Sequence, residues 1–210
     1  MNKKTVWNFW AGRYEKLWVQ KYSLGPTRRE ITKYLEKILQ KEKKYKILDV
    51  GCGIGQLLRD IKESFFGYDI ELVGVDFSQE MIRRATALDD TIRYQQMDIE
   101  DMSGIGEKFD IILCTHSFPY YPDQEKAIRD FRGLLKEDGY LLMAQASQNN
   151  FYDQAAMFFV KLTTGKAHYP SVREMLDITK HLFFCGEIIR IKERAYMPSI
   201  YFFVFKGDGK

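Results

Sequence analysis

A chain of 210 residues with 45% hydrophobic and 29% charged residues is long enough for one sizeable core and short for two complete domains. This composition excludes a disordered or collagen-like protein. A net charge of +3 is only mildly basic, which disfavours a dedicated nucleic-acid binder with a strongly basic face. We therefore expect a single folded domain over residues 1–210.

Cysteine usage and hydropathy indicate the compartment. Cys52, Cys114 and Cys185 form no CxxC pair and lack the spacing of a zinc site or a disulfide framework. We therefore expect no bound metal and a reducing, cytoplasmic environment. Charged residues interrupt every apolar run, so we expect neither a signal peptide nor membrane insertion. The sequence leaves open whether the protein is a monomer or a homodimer.

Two helical patterns precede the first strand. Aromatic residues recur at helical spacing from Trp7 to Trp18, which predicts an amphipathic helix that ends at Gly25-Pro26. Thr27 and Glu30 have the spacing of a capping box and predict the start of a second helix.

From residue 45 onwards, short apolar runs alternate with helix-like segments, which is typical of a parallel sheet with helices on both faces. Strands are predicted near residues 46–50, 71–75, 92–96, 110–114 and 140–144. Ser171 and Glu174 then predict a capped helix that ends near His181. Two strands near residues 187–194 and 199–205, joined at Met197-Pro198, predict an antiparallel pair at the sheet edge. The expected fold is α/β, a doubly wound, seven-stranded, mainly parallel sheet with a final antiparallel edge strand.

A glycine-rich turn follows the first strand. Glycines at positions 51, 53 and 55 leave room for a ligand close to the backbone, and the following helix adds the positive end of its dipole. The dinucleotide pattern G-x-G-x-x-G fails, because its last position falls on Gln56 or Leu58. Asp76 ends the second strand, where an acid accepts hydrogen bonds from two ribose hydroxyls. The spacing fits a bound adenosine.

Asp49, the G-x-G-x-G turn and Asp76 together resemble the first motifs of the class I S-adenosylmethionine-dependent methyltransferases. The resemblance covers roughly residues 45–145. The segments 115–123 and 134–140 look like the small-molecule branch of that family, which includes the ubiquinone and menaquinone biosynthesis methyltransferases. The resemblance implies S-adenosylmethionine as cofactor, S-adenosylhomocysteine as product, and a small-molecule acceptor methylated on oxygen, nitrogen or sulfur.

The resemblance also implies a set of cofactor contacts. Asp49 suits the cationic amino group of the methionine part, and Phe77 packs on the adenine. Asp98 either contacts the adenine amino group or caps the following turn. The expected cofactor-binding residues are Asp49, Gly51, Cys52, Gly53, Gly55, Gln56, Asp76, Phe77, Ser78, Met81, Met97, Asp98, Ile99, Thr115 and Tyr14.

His116 follows the fourth strand, near the place where the cofactor methyl group should point. It is either a general base that titrates near neutral pH or a turn histidine bonded to the backbone. Methyl transfer itself needs little beyond holding donor and acceptor in line with water excluded. The expected substrate-binding residues are Trp10, Trp18, Tyr120, Tyr121 and His168.

Three segments are distinguished within the domain. Residues 1–44 are interpreted as a helical lid, residues 45–145 as the cofactor-binding core, and residues 146–210 as a substrate-side insertion with an edge hairpin. In the alternative to the lid, the N-terminal aromatic residues merely cover one face of the sheet. Two other functions stay open, namely a methyltransferase acting on protein or nucleic acid and a non-catalytic cofactor-binding protein.

Overall fold

The structure, a computed structural model, describes residues 23–147, 167–192 and 199–207, in which strands and helices alternate. Its main elements are α1 (Gly25–Ile38), β1 (Lys44–Val50), α2 (Gln56–Ser64), β2 (Asp69–Asp76), α3 (Gln79–Leu88), β3 (Arg93–Gln96), β4 (Phe109–Thr115), α4 (Gln124–Leu134), β5 (Leu135–Ala146), α5 (Val172–Thr179), β6 (Phe183–Ile191) and β7 (Ile200–Gly207). Short 3-10 helices over Ile99–Ile105 and Phe118–Tyr120 lie on either side of β4.

The described strands form one seven-stranded sheet in the order β3-β2-β1-β4-β5-β7-β6. Strands β1 to β5 pair in parallel, and β7 pairs antiparallel with both β5 and β6. The predicted doubly wound α/β sheet with an antiparallel last strand is confirmed. That last strand lies inside the sheet, however, so the edge is formed by β6. A register shift between Cys185 and Glu187 interrupts the pairing of β6 with β7.

Apolar side chains cover both faces of the sheet, which explains the near-continuous hydrophobic runs of its central strands. Successive residues of β1 point to opposite faces. Ile47 packs in one cluster with Ile31 of α1 and Leu58 of α2. Leu48 packs in the other cluster with Phe131 of α4. The helices on the two faces therefore fix the position of β1 and of the turn that follows it.

The start of α1 differs from the prediction. Pro26 lies in the first turn of α1, where the missing N–H has no intrahelical acceptor to lose. Gly25-Pro26 thus begins α1, and the helix predicted to precede it lies outside the described residues. The predicted capping box of Thr27 with Glu30 is wrong, because Thr27 is already inside the helix. Its hydroxyl donates to the carbonyl oxygen of Ser23 at 2.9 Å.

The capping box predicted for α5 is confirmed. The Ser171 hydroxyl accepts from the Glu174 amide at 3.2 Å, and the Glu174 carboxylate accepts from the Ser171 amide at 2.7 Å. The helix ends at Thr179, two residues before the predicted end at His181. In the described ranges, no helix combines the length and apolar character that crossing a membrane requires.

Several predicted features lie outside the described residues. They are the aromatic N-terminal helix with Trp10, Tyr14 and Trp18, and the β6–β7 loop at Met197-Pro198.

Candidate functional site

A cavity of about 310 Å³ lies at the carboxyl ends of β1, β2 and β4. Strand order reverses between β1 and β4, and open α/β sheets bind their ligands at such a point. Twelve of the predicted site residues line the cavity: Gly51, Gly53, Asp76, Phe77, Met81, Met97, Asp98, Ile99, Thr115, His116, Tyr120 and Tyr121. The strand order has thus brought together residues that are spread over seventy positions of the sequence.

The three glycines of the turn have different surroundings. A Cβ atom on Gly51 would lie 2.4 Å from Cβ of Ser117, and one on Gly55 would lie 2.1 Å from the hydroxyl of Tyr94. A Cβ atom on Gly53 would meet none of the described atoms within 4 Å. Gly51 and Gly55 are therefore required by packing, whereas Gly53 opens onto the cavity and leaves room for a ligand.

Asp76 shapes the turn while keeping acceptor capacity. Its carboxylate accepts from the Gly53 amide at 3.0 Å and from the Ser78 amide at 2.9 Å. Burial raises the pKa of Asp76, and these two amide hydrogen bonds oppose the rise. A carboxylate has about four lone-pair sites, so two stay available for hydroxyl groups of a ligand.

Asp49 is buried without a comparable set of partners. Its side chain is 1% exposed, and its Oδ1 atom has no hydrogen-bond partner in the described part of the chain. Burial and the nearby Asp76 carboxylate raise the pKa of Asp49 to about 8. A carboxyl group with this pKa is neutral at pH 7, and a nearby cation would favour its ionised form.

Five predicted cofactor residues do not line the cavity, namely Asp49, Cys52, Gly55, Gln56 and Ser78. The Cys52 thiol faces β2, since its sulfur would lie 2.9 Å from a Cβ atom on Gly74. Ser78 caps α3 by accepting from the Met81 amide at 3.3 Å. A direct ligand contact of these five residues stays a prediction.

Asp98 combines the two roles that the sequence left open. Its Oδ1 atom accepts from the Glu100 amide at 3.3 Å, which caps the 3-10 helix after β3. The same residue lines the cavity. Its turn-capping role therefore leaves it in a position to contact a ligand.

His116 is held by both its backbone and its ring. Its φ of 58° lies in the left-handed region, and its amide donates to the Ala144 carbonyl at 2.8 Å. Its Nε2 atom lies 2.9 Å from the Thr27 hydroxyl. Burial, with the Arg28 guanidinium nearby, lowers the pKa of His116 to about 4. The expected titration near neutral pH is therefore wrong, and the ring is neutral at pH 7.

The hydroxyl groups of the two predicted substrate tyrosines are engaged in protein contacts. The Tyr121 hydroxyl lies 2.9 Å from the Ser117 hydroxyl, which donates to the Val50 carbonyl at 2.9 Å. The Tyr120 hydroxyl lies 2.9 Å from that of Tyr169. Both tyrosines line the cavity with these contacts in place.

The structure does not bring His168 into the cavity. Its side chain is 63% exposed, with Nε2 at 3.7 Å from the Glu174 carboxylate. Its amide donates to the Pro119 carbonyl at 2.9 Å, and its carbonyl accepts from the Gln124 side chain at 2.9 Å. His168 therefore fastens the segment after residue 166 to the loop that carries Tyr120.

Six cavity residues were missed by the sequence reasoning, namely Val50, Val75, Glu100, Met102, Ser117 and Pro122. Val50 and Val75 immediately precede predicted site residues, so their position at strand ends was a usable signal. Ser117 had no such signal, because only the folded structure shows its close approach to Gly51.

Within residues 23–147, 167–192 and 199–207, no group of three or more His, Cys, Asp or Glu side chains is placed to hold a metal ion.

Residues 47–139 match the family model described as a methyltransferase domain. Over 121 residues the chain is 31% identical to ubiquinone biosynthesis O-methyltransferase from Coxiella burnetii, a match that covers 56% of this chain and 50% of that protein. The chain carries a methyltransferase domain over residues 47–139. The methyltransferase domain accounts for the glycine turn, the acid at position 76 and the cavity beside them.

One further relative and one solved structure are also similar to the chain. The domain is 27% identical over 143 residues to 2-methyl-6-phytyl-1,4-hydroquinone methyltransferase from Synechocystis, covering 67% of this chain and 42% of that protein. The fold matches magnesium protoporphyrin IX methyltransferase from Synechocystis PCC 6803, solved with bound S-adenosylhomocysteine, with a TM-score of 0.70. That match has 16% identity and covers 91% of this chain and 88% of the other. The chain spans about half the length of the curated relatives it matches.

Replacing Gly53 with alanine tests whether the open space beside the methyltransferase turn belongs to the cofactor. The new methyl group would occupy that space, so S-adenosylhomocysteine should bind at least about tenfold more weakly, or roughly 1.4 kcal/mol. The left-handed backbone at a φ of 55° should cost about 1–2 kcal/mol of folding stability. Calorimetry and thermal unfolding measure the two effects.

The matched control is Gly106→Ala. Gly106 has a φ of 69°, and its added Cβ would meet only the Gly104 carbonyl at 4.0 Å. It is exposed and lies outside the cavity, so this variant should lose similar stability and no affinity. Equal cofactor affinities of the two variants would contradict the assignment of the open space.

Cofactor binding to the methyltransferase domain should depend on pH through Asp49. The carboxyl group of Asp49 has a pKa of about 8, so in the free protein this group is protonated below pH 8. A bound ammonium group favours its ionised form. Between pH 6 and 7.5 the affinity for S-adenosylhomocysteine should therefore rise with pH, by up to about tenfold per unit.

Calorimetry in two buffers of different ionisation enthalpy should detect release of a proton on binding. The control is Asp49→Asn, which cannot ionise and should bind without this pH dependence and without proton release. Identical pH profiles for the two proteins would remove Asp49 from cofactor binding.

Proposed function

We propose that this chain transfers the methyl group of S-adenosylmethionine to an oxygen, nitrogen or sulfur atom of a small molecule. The observation that carries the proposal is the composition of a single cavity. The cavity joins the Gly53 opening and the Asp76 carboxylate to His116 and Tyr120. Groups suited to an adenosine thus share one space with groups suited to an acceptor.

The residues present fit the cofactor. Asp76 keeps two lone-pair sites for the ribose hydroxyls beyond its bonds to the Gly53 and Ser78 amides. Phe77 and Ile99 supply apolar surface for the adenine, and Asp98 supplies an acceptor for its amino group. Asp49, with an unpaired buried oxygen, would be satisfied by the cationic end of the methionine part.

The cofactor, when bound, supplies a methyl group activated by its sulfonium. The contribution of this chain is to bind both partners, hold them in line and exclude water. His116 is neutral at pH 7, because its pKa is about 4, and it can therefore accept the proton that a hydroxyl acceptor loses. This base role adds to orientation and does not replace it.

An aromatic hydroxyl compound is the acceptor class we favour. The Tyr121 ring lines the cavity while its hydroxyl contacts that of Ser117, so aromatic surface borders the site. The names of two curated relatives point to quinone precursors as acceptors, including a hydroquinone. Both considerations support a phenol or hydroquinone over a protein or a nucleic acid.

The N-terminal segment is proposed to complete the acceptor pocket. Ser23, the first described residue, bonds to Thr27, which in turn contacts the cavity residue His116. The chain therefore enters α1 from a position close to the cavity. This position supports the proposal that residues 1–22, with Trp10, Tyr14 and Trp18, act as a lid.

Methyl transfer from radiolabelled S-adenosylmethionine tests the function. The full chain should label catechols or hydroquinones, and the label should elute with low-mass product. Protein and RNA from a cell extract serve as competing acceptors. A reaction without the protein is the blank, and the Gly53→Ala variant should label the acceptor more slowly at limiting cofactor, because it binds the cofactor more weakly. Label found only in the macromolecular fraction would contradict a small-molecule acceptor, and cofactor binding without transfer to any acceptor would indicate a non-catalytic protein.

Replacing His116 with asparagine tests the base. Asparagine tolerates the left-handed backbone at this position, so the variant should fold and bind cofactor normally. Its turnover of a hydroxyl acceptor should fall by about 100-fold or more. At saturating cofactor, the wild-type rate should be constant near neutral pH and fall as pH drops towards 4, where His116 takes up a proton. Wild-type turnover in His116→Asn would make the residue structural.

A further inference from the structure

One side-chain hydrogen bond joins α1 to the end of β4. The Thr27 hydroxyl lies 2.9 Å from Nε2 of His116, across 89 positions of the sequence. Thr27 is only 1% exposed, although it is polar. Buried polar groups are normally hydrogen-bonded, so the partners of the Thr27 hydroxyl indicate its role.

The direction of this bond follows from the second contact of Thr27. A hydroxyl has one hydrogen, and Thr27 gives it to the Ser23 carbonyl oxygen at 2.9 Å, which can only accept. The Thr27 oxygen is therefore an acceptor towards His116. Because the imidazole is neutral, the bond requires the hydrogen to sit on Nε2 and the lone pair to sit on Nδ1.

The remainder of His116 has little freedom. Its backbone is fixed in the left-handed region by the bond from its amide to the Ala144 carbonyl at 2.8 Å. The ring is anchored at Nε2, and Nδ1 makes no hydrogen bond to any of the described residues. His116 lines the cavity in this arrangement. The imidazole thus has one nitrogen committed to α1 and one left for a ligand.

We propose that Thr27 is a positioning residue that holds His116 in the Nε2–H tautomer and thereby keeps the Nδ1 lone pair available to the acceptor hydroxyl. The kinetic part of this proposal rests on the base role of His116 given above. The proton lost by the acceptor oxygen then forms the Nδ1–H bond, and the Nε2–H bond to Thr27 stays in place. The resulting imidazolium donates through both nitrogens and returns its proton to solvent after product release.

Nitrogen-15 NMR of the full chain, labelled in its histidines, measures the tautomer without any turnover. His116→Asn identifies the His116 signals among those of the three histidines. The wild-type protein should show Nε2 protonated and Nδ1 unprotonated at pH 7. A protonated Nδ1 in the wild type would overturn the proposal whatever the variants do.

Thr27→Val removes the hydroxyl at nearly constant size and should release the ring into a mixture of tautomers. Thr27→Ser keeps a hydroxyl and should restore the wild-type spectrum. Thr179→Val is the matched control, since Thr179 is also 1% exposed and donates to the carbonyl four residues earlier, at 2.7 Å. It should leave the His116 signals unchanged. An unchanged tautomer in a folded Thr27→Val protein contradicts the proposal.

Kinetics separates this proposal from the proposed function. Thr27→Val should lower kcat for a hydroxyl acceptor by about tenfold or more, with unchanged cofactor affinity, because the base then spends time in the wrong tautomer. Thr27→Ser should recover most of that rate. If NMR shows the Nε2–H tautomer while His116→Asn keeps full turnover, the base role fails and the positioning by Thr27 stands.

Discussion

Parallel pairing of β1 with β2 on one side and β4 on the other determines where every group of the site lies. The register places Val50 opposite Val75, and the Gly51 and Cys52 amides both donate to the Val75 carbonyl. The glycine turn is thereby fixed beside Asp76. A slip of one residue would turn the side chains of β1 to the opposite faces of the sheet. The core packing of Ile47 and Leu48 on the two faces excludes such a slip, so the hydrophobic core also sets the geometry of the site.

Two carboxylates in this small volume have different environments. Burial opposes the ionisation of both, but Asp76 accepts from two amides that stabilise its charge, whereas Asp49 has a neighbouring acid that opposes its ionisation further. Sequence reasoning assigns Asp49 to the cationic amino group of the methionine part and Asp76 to the ribose hydroxyls. The fold gives them different surroundings, because Asp76 accepts from the amides of Gly53 and Ser78, whereas Asp49 is buried with its Oδ1 atom unpartnered among the described residues. The protein thus combines the Asp76 carboxylate, held by two amide donors, with the Asp49 carboxyl group, whose ionised form a nearby cation would favour.

Much of the fold could be predicted from the sequence, because strand alternation, glycine spacing and the Ser171 cap are local signals. The failures concern contacts between distant segments. No sequence signal around Thr27 indicates that its hydroxyl bonds inside the helix and contacts the His116 ring. The sequence pattern therefore predicts that Thr27 caps the start of the helix. The low pKa of His116 likewise follows from burial by elements far along the chain. The cavity residues were largely predictable because motifs at strand ends meet at one edge. The separate roles of Gly51, Gly53 and Gly55 could not be predicted. Ser117 approaches Gly51, and Tyr94 approaches Gly55, only in the folded chain.

Strand β6, at the edge of the sheet, carries two exposed apolar side chains, with Phe184 at 69% and Ile188 at 39% of full exposure. An apolar edge of this kind is a template on which a strand of another molecule can add, the first step towards aggregation. The register shift between Cys185 and Glu187 breaks the regular spacing of the backbone groups, and the Glu187 carboxylate adds a charge beside it. Irregular, charged edges pair poorly with foreign strands. The interruption in the hairpin therefore makes β6 a poorer template for a strand of another molecule.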